Sequence, residues 1–139
     1  MNNQKEITAI AHPNIALAKY WGKRNILLNI PAMDSISITL DTLETITTLK
    51  LDKKIDKDEF TINNRKSSEE ERLQVSKFLD LFRNKSKIKS FAKVITENNF
   101  PTSAGLASSA SGFAALATAA NQIYNTNFNS KKLSIITRQ

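Results

Sequence analysis

Apolar and polar residues alternate along much of the first half of the chain and recur at helical spacing in the second half. Ile7 to Ala11 is short, apolar and rich in β-formers, and predicts a strand that runs into His12-Pro13. Asn14 to Tyr20 continues with few turn signals, as a second strand or an irregular extension. Ser35, Ser37 and Thr39 then alternate with Ile36, Ile38 and Leu40, the period-two mark of a half-buried strand. Thr45 to Leu51 alternates again, and Glu59 to Asn63 adds a short strand. The Lys and Asp cluster from Asp52 to Asp58 between them predicts a turn.

Helical signals take over near residue 67. Ser67 or Ser68 has the character of an N-cap, and Glu69, Glu70 and Glu71 follow it, where carboxylates suit the positive end of the helix dipole. Leu73, Val75, Phe78, Leu79 and Phe82 repeat at helical spacing, which predicts a helix from Ser68 to Arg83. Phe91 to Thr96 predicts a strand, Glu97 to Gly105 a Pro- and Gly-containing loop, and the Ala-rich stretch Leu106 to Tyr124 a long helix. Ser130 to Arg138 begins another. Strands, helix, strand, long helix is the order of an α+β fold, with helices on one face of a mixed or antiparallel sheet. The 139 residues suffice for one domain, and no repeat or linker divides them.

Composition narrows the function. The chain is 40% apolar and 24% charged, as in ordinary globular proteins. It has no cysteine, which removes disulfides and thiolate metal sites. No apolar run reaches the ~20 residues of a membrane span, and Met1 to Glu6 lacks the apolar segment of a signal peptide, so the expected location is cytoplasmic. The net charge of +7 suits an anionic partner. The denser basic stretches, Lys50 to Lys57 and Arg83 to Lys93, lack the interleaved aromatics of a single-strand binder, and no nucleic-acid partner is expected.

Two constellations carry chemistry. In Asn98-Asn99-Phe100-Pro101-Thr102-Ser103-Ala104-Gly105-Leu106-Ala107-Ser108-Ser109-Ala110, small residues lead from a loop into a helix. A ligand can approach such a backbone closely, and the N–H groups at a helix start attract phosphate. Ser108 and Ser109 add hydroxyls that can hold nucleotide-bound Mg²⁺. The plainer alternative is an Ala-rich core helix with capping serines. The segment matches neither the P-loop nor the dinucleotide fingerprint. The second constellation is Asn14 with Lys19, Tyr20, Trp21, Gly22, Lys23 and Arg24, three cations and two aromatics around a glycine. Lysine meets phosphate as a mobile point charge and arginine as a planar fork. Its alternative is a basic turn with a partly buried aromatic pair. His12, the single histidine, has no acid or metal partner near it in sequence and reads as structural.

The stretch His12-Pro13-Asn14-Ile15-Ala16-Leu17-Ala18-Lys19-Tyr20-Trp21-Gly22-Lys23-Arg24 resembles the N-terminal signature of diphosphomevalonate decarboxylases. Ser35 to Leu40 resembles the Ser-x-Ser-x-Thr-Leu strand that follows it in that family, and Asn98 to Gly112 resembles the family's phosphate loop. The Lys-Tyr-Trp-Gly-Lys block separates this family from the mevalonate and homoserine kinases of the larger superfamily.

The resemblance implies a two-domain α+β enzyme whose N-terminal half resembles the second domain of ribosomal protein S5, with the active site between the halves. It implies ATP and Mg²⁺ as cofactors and mevalonate 5-diphosphate as substrate, converted to isopentenyl diphosphate with ADP, phosphate and CO₂ as co-products. Carried over residue by residue, Tyr20 and Lys23 would bind the substrate's diphosphate, Lys19 would lie near the reacting phosphates, and Asn14 would orient the substrate near its carboxylate. Ser103, Ala104, Gly105, Leu106, Ala107, Ser108 and Ser109 would bind the nucleotide, with Ser108 and Ser109 also at the metal.

Two departures stand out. Pro31-Ala32-Met33-Asp34 lacks the asparagine of the family's Pro-x-Asn turn. The family's Gly-Ser-Gly-Ser-Ala block, its carboxylate-binding arginine and its catalytic aspartate have no match in this chain. Residues 1–139 are therefore expected to be the N-terminal, ATP- and substrate-binding domain, inactive alone and lacking the C-terminal domain of a homodimeric enzyme. The alternatives are a non-catalytic remnant of an interrupted gene, or a related mevalonate or phosphomevalonate kinase or decarboxylase.

Overall fold

The computed structural model describes residues 5–18, 22–27, 29–101 and 108–138. Its main sheet has the order β1 (Glu6–Ala11), β6 (Thr45–Asp52), β9 (Phe91–Asn98), β7 (Glu59–Ile62), β8 (Arg65–Lys66). All pairings are antiparallel except β7 with β9, which is parallel because helix α1 (Glu69–Arg83) carries the chain back between them. Helices α2 (Ser108–Ile123) and α3 (Ser130–Thr137) complete the domain. α2 packs on β6 and β1, α1 on β7, and α3 on α2, and the protein is an α+β fold.

The face of the sheet turned to the helices holds the core. Leu49, Ala92 and Val94 meet Val75, Leu79 and Phe82 of α1 and Leu116, Ala120 and Ile123 of α2. The aromatic seam Phe113–Phe78–Phe82–Phe128 joins the helices, with ring centroids 5.0, 5.6 and 5.9 Å apart in turn. Lys5 holds the start of β1 to the end of α2 by donating to the carbonyls of Gln122 and Ile123 at 3.1 Å each. Its ammonium there complements the negative end of the helix dipole.

Local sequence accounts for the boundaries. Ser68 is the N-cap of α1. Its hydroxyl accepts from the Glu71 N–H at 3.2 Å while the Glu71 carboxylate accepts from the Ser68 N–H at 2.7 Å, a complete capping box. Asn129 caps α3 by accepting from the Lys132 N–H at 2.9 Å. β9 runs two residues beyond the predicted Thr96, and α2 is described from Ser108 onward, the predicted start at Leu106 lying outside the described residues.

β8 was not anticipated. The hairpin turn that creates it is Asn63-Asn64, with φ of 45° and 61° between the paired residues Ile62 and Arg65. Asparagine tolerates this left-handed conformation and does here what Asn-Gly does in commoner hairpins. The Asp52 to Asp58 turn has one buried end. Asp58 is fully buried, accepting at 2.8 Å from Arg83 Nη2 and the Ala92 N–H and at 2.6 Å from Ser76 Oγ.

A second unit stands apart from this core. Among the described residues, β2 (Asn14–Ala18) pairs only with β5 (Ile36–Thr39), and β3 (Lys23–Asn25) pairs with β4 (Ile30–Pro31). The β2–β5 ribbon continues the β1–β6 hairpin beyond a bend at His12-Pro13, where His12 Nδ1 lies 3.0 Å from the Leu43 carbonyl oxygen. Every residue of β5 is exposed, so the alternation that predicts a half-buried strand has no buried side among the described residues.

Candidate functional site

The first turn of α2 is fixed from below by hydroxyls. Thr45 on β6 donates to Asn98 Oδ1 of β9 at 2.6 Å, and its oxygen lies 2.7 Å from Ser111 Oγ of α2. Ser111 in turn reaches the Ser108 carbonyl at 3.2 Å, and Thr47 meets Thr96 at 3.0 Å beneath. Thr45, Thr47, Thr96 and Ser111 are all buried, so these bonds satisfy groups that water cannot reach and hold the helix start in one position.

Above this anchor, α1 and α2 diverge and leave a cavity of about 450 Å³. Phe60, Ile62, Thr96 and Asn98 form its floor. Glu71, Gln74 and Val75 form the α1 wall, and Ser108, Ser109, Gly112, Phe113 and Leu116 the α2 wall. Apolar rings and aliphatic chains with a few amides and hydroxyls make the lining of a small-molecule site. Gly112 has no tertiary reason to lack a side chain, since a Cβ built there would meet nothing within 4 Å. Glycine inside a helix costs about 1 kcal/mol relative to alanine, and what it provides here is open space in the cavity wall.

Arg65 and Glu71 close the rim. The guanidinium donates to both carboxylate oxygens, Nη2 to Oε1 at 2.8 Å and Nη1 to Oε2 at 3.1 Å. The Arg65 hydrogen bond, and then the Ser68 backbone, hold the Glu71 carboxyl down at about 2, so it is ionised throughout the neutral range. Neither residue is visible as a site residue in the sequence. Their place in the lining depends on the Asn63-Asn64 turn, which aims β8 back toward the start of α1.

A second cavity, of about 580 Å³, lies on the other side of α2. Asn14 lines it together with Ala110, Ala114, Ala117 and Thr118 of α2 and Ser130, Leu133, Ser134, Thr137 and Arg138 at α3. Lys23 is tied to this region. Its ammonium donates to Asn29 Oδ1 at 2.6 Å, and Asn29 donates to the Arg138 carbonyl at 3.0 Å.

The residues expected from the sequence therefore divide. Ser108 and Ser109 sit in the first turn of α2 and line the first cavity, outside the apolar core. Asn14 and Lys23 gather on the opposite side, with the second cavity and the end of α3. Lys19, Tyr20, Ser103, Ala104, Gly105, Leu106 and Ala107 lie outside the described residues. Sequence reasoning missed the hydroxyl anchor of Thr45, Thr47, Thr96 and Ser111. The available signal was Thr45-Ile46-Thr47-Thr48, where threonine occupies alternate positions of a strand that must pack on a helix.

Known proteins share this fold. Residues 11–139 match the model of the diphosphomevalonate decarboxylase-like N-terminal domain. The diphosphomevalonate decarboxylase of Schizosaccharomyces pombe is 39% identical over an alignment that covers 96% of this chain and 38% of that protein. The crystal structure of mevalonate diphosphate decarboxylase from Staphylococcus aureus superposes with a TM-score of 0.86 at 43% identity, covering 96% of this chain and 40% of that one. A complex of MDDEF with MVAPP, AMPPCP and magnesium gives a TM-score of 0.82 at 44% identity, over 96% of this chain and 41% of that one. The chain thus spans about two-fifths of the length of these relatives.

Proposed function

Because the chain belongs to the family of diphosphomevalonate decarboxylase-like N-terminal domains, we propose that residues 1–139 form the ATP- and substrate-binding domain of an enzyme that decarboxylates mevalonate 5-diphosphate. The reaction transfers the γ-phosphoryl group of ATP to the 3-hydroxyl. The tertiary phosphate then leaves as the carboxylate departs as CO₂, giving isopentenyl diphosphate, ADP and phosphate. The observation that carries the reading is the α1–α2 cavity, with Ser108 and Ser109 at a helix start and open space at Gly112. It suits a nucleotide whose phosphates meet the N–H groups and hydroxyls of α2 while its base lies among the apolar walls.

Asn14 and Lys23, across α2 from that cavity, take the second substrate. Asn14 orients it near the carboxylate, and Lys23 with Tyr20 binds its diphosphate. Lys19 lies near the phosphates that react. The hydroxyls of Ser108 and Ser109 would hold Mg²⁺, which supplies charge screening at the phosphoryl group. Electrostatic screening and positioning are the main demands of such a transfer, since both reactants are polyanions. The net charge of +7 agrees with them. No helix among the described residues is long and apolar enough to cross a membrane. The cytoplasmic location and the homodimer implied by the resemblance belong to the same proposal.

The test is a chimera in which residues 1–139 replace the matching segment of the Staphylococcus aureus enzyme, assayed for CO₂ and phosphate release. The expected result is turnover that requires both ATP and mevalonate 5-diphosphate, while the 139-residue chain alone binds MgATP without turnover. A folded chimera that phosphorylates its substrate but releases no CO₂ would contradict the decarboxylase assignment.

A further inference from the structure

Lys23 is held from both ends of its surroundings. It begins β3, and the hairpin that follows brings the chain back to it at Asn29, whose Oδ1 accepts from the Lys23 ammonium at 2.6 Å. The same amide donates from Nδ2 to the carbonyl of Arg138 at 3.0 Å, at the C-cap of α3. An ammonium can only donate and a carbonyl can only accept, so these two partners fix which way round the amide lies. Asn29 is half-buried, and its backbone is left-handed, with φ of 51°. Few residues with a side chain tolerate that conformation, and asparagine is one of them. Position 29 thus asks for a tolerant backbone and a neutral amide together.

Resting on the reading that Lys23 binds the substrate's diphosphate, we propose that Asn29 is a positioning residue for that site, orienting the Lys23 ammonium from the end of α3. A lysine side chain is long and flexible, and ordering it on binding weakens the complex. Asn29 orders it before the substrate arrives, and the Arg138 carbonyl orders Asn29 in turn. An ammonium carries three N–H donors, so the bond to Asn29 leaves capacity for phosphate oxygens. The end of a helix is also the negative end of its dipole, which favours a cation close by. Arg138 lines the second cavity together with Asn14, so one amide ties the hairpin that carries Lys23 to the helix end that walls the cavity. Asn29 acts on the substrate only through Lys23.

The experiment is a double-mutant cycle of Asn29→Gly and Lys23→Ala in the chimeric enzyme, with KM measured for both substrates and thermal unfolding of every variant. Glycine adopts a positive φ freely, so Asn29→Gly removes the amide and keeps the backbone. On its own it should raise KM for mevalonate 5-diphosphate about three- to tenfold, the cost of ordering one lysine, and leave KM for ATP unchanged. In the Lys23→Ala background it should change neither, because the group it positions is gone. Asn29→Asp serves as a second variant that also tolerates the backbone. It keeps an acceptor for Lys23 but loses the donor to Arg138 and places a negative charge beside the diphosphate, so its KM should rise at least as much. Equal losses from Asn29→Gly with and without Lys23 would mark a merely structural role and overturn the proposal, as would an unchanged KM in both Asn29 variants. If Lys23→Ala itself left KM for mevalonate 5-diphosphate unchanged, the placing of the diphosphate at Lys23 would fail, and this proposal with it.

Discussion

β5 and β6 are written in nearly the same alphabet and have opposite fates. Ile36-Ser37-Ile38-Thr39 and Thr45-Ile46-Thr47 both alternate isoleucine with a hydroxyl residue. In β6 the threonine side is buried under α2, and Ile46 looks outward at 36% exposure. In β5 both sides are exposed, with Ile36 at 66% and Ile38 at 51%. Periodicity identifies a strand, but the side it buries depends on which neighbours hold partners for it. For β6 these are Asn98, Thr96 and Ser111, which turn hydroxyls inward. Among the described residues β5 has only β2, and a lone two-stranded ribbon is marginal in water. The sheet with its helices supports itself. The ribbon, with Leu17, Ile36 and Ile38 uncovered, contributes surface to the region where the substrate residues collect.

Substitutions in the two strands should separate these roles. Leu49→Ala in β6 removes a fully buried side chain and should cost about 2–5 kcal/mol of stability, enough to threaten folding at 37 °C. Ile38→Ala in β5 should stay within about 0.5 kcal/mol, as for other surface substitutions. Urea unfolding of the two variants side by side measures the contrast, and equal losses would mean that the ribbon belongs to the core.

The next effect is on ligand binding. Lys23→Ala, in the chimeric enzyme, should raise KM for mevalonate 5-diphosphate about ten- to a hundredfold and leave KM for ATP nearly unchanged, since a charge-assisted hydrogen bond contributes about 1.5–3 kcal/mol. A rise in KM for ATP alone would exchange the two binding regions. Lys23→Arg keeps the charge with a different geometry and should recover part of the loss.

A smaller effect joins core to site. Thr45→Val keeps the shape of the side chain but leaves Asn98 Oδ1 and Ser111 without their shared partner, at about 1–3 kcal/mol of stability. Asn98 and Ser108 line the cavity, so MgATP affinity should fall with it. A stable variant with unchanged affinity would show that the hydroxyl anchor does not position the first turn of α2.

Much of this frame was legible in the sequence. Ser68 with Glu71, and the spacing from Leu73 to Phe82, specify α1 through local chemistry alone. The small residues into Ser108 and Ser109 marked the helix start that lines the first cavity. What escaped depends on partners far along the chain. Asp58 reads in the sequence only as part of a turn, because Arg83, its buried partner, stands 25 residues away. Arg65 and Glu71 are six residues apart, but only the left-handed Asn63-Asn64 turn brings them face to face over the cavity. Asn14 and the end of α3 meet around the second cavity through the ribbon's bend, which no local pattern announces.

The central claim is that the space between α1 and α2 is a nucleotide site, and Gly112 allows it to be tested without touching a polar group. A Cβ there meets nothing within 4 Å, so Gly112→Leu should extend into the cavity with little strain on the fold. Replacing a helical glycine should also raise helix stability by about 0.5–1 kcal/mol. Calorimetric titration of MgATP into the wild type and Gly112→Leu, alongside their thermal unfolding, gives both quantities at once. The account predicts a variant at least as stable as the wild type that no longer binds MgATP. A stable Gly112→Leu protein that binds MgATP with wild-type affinity would show that the nucleotide does not occupy this cavity.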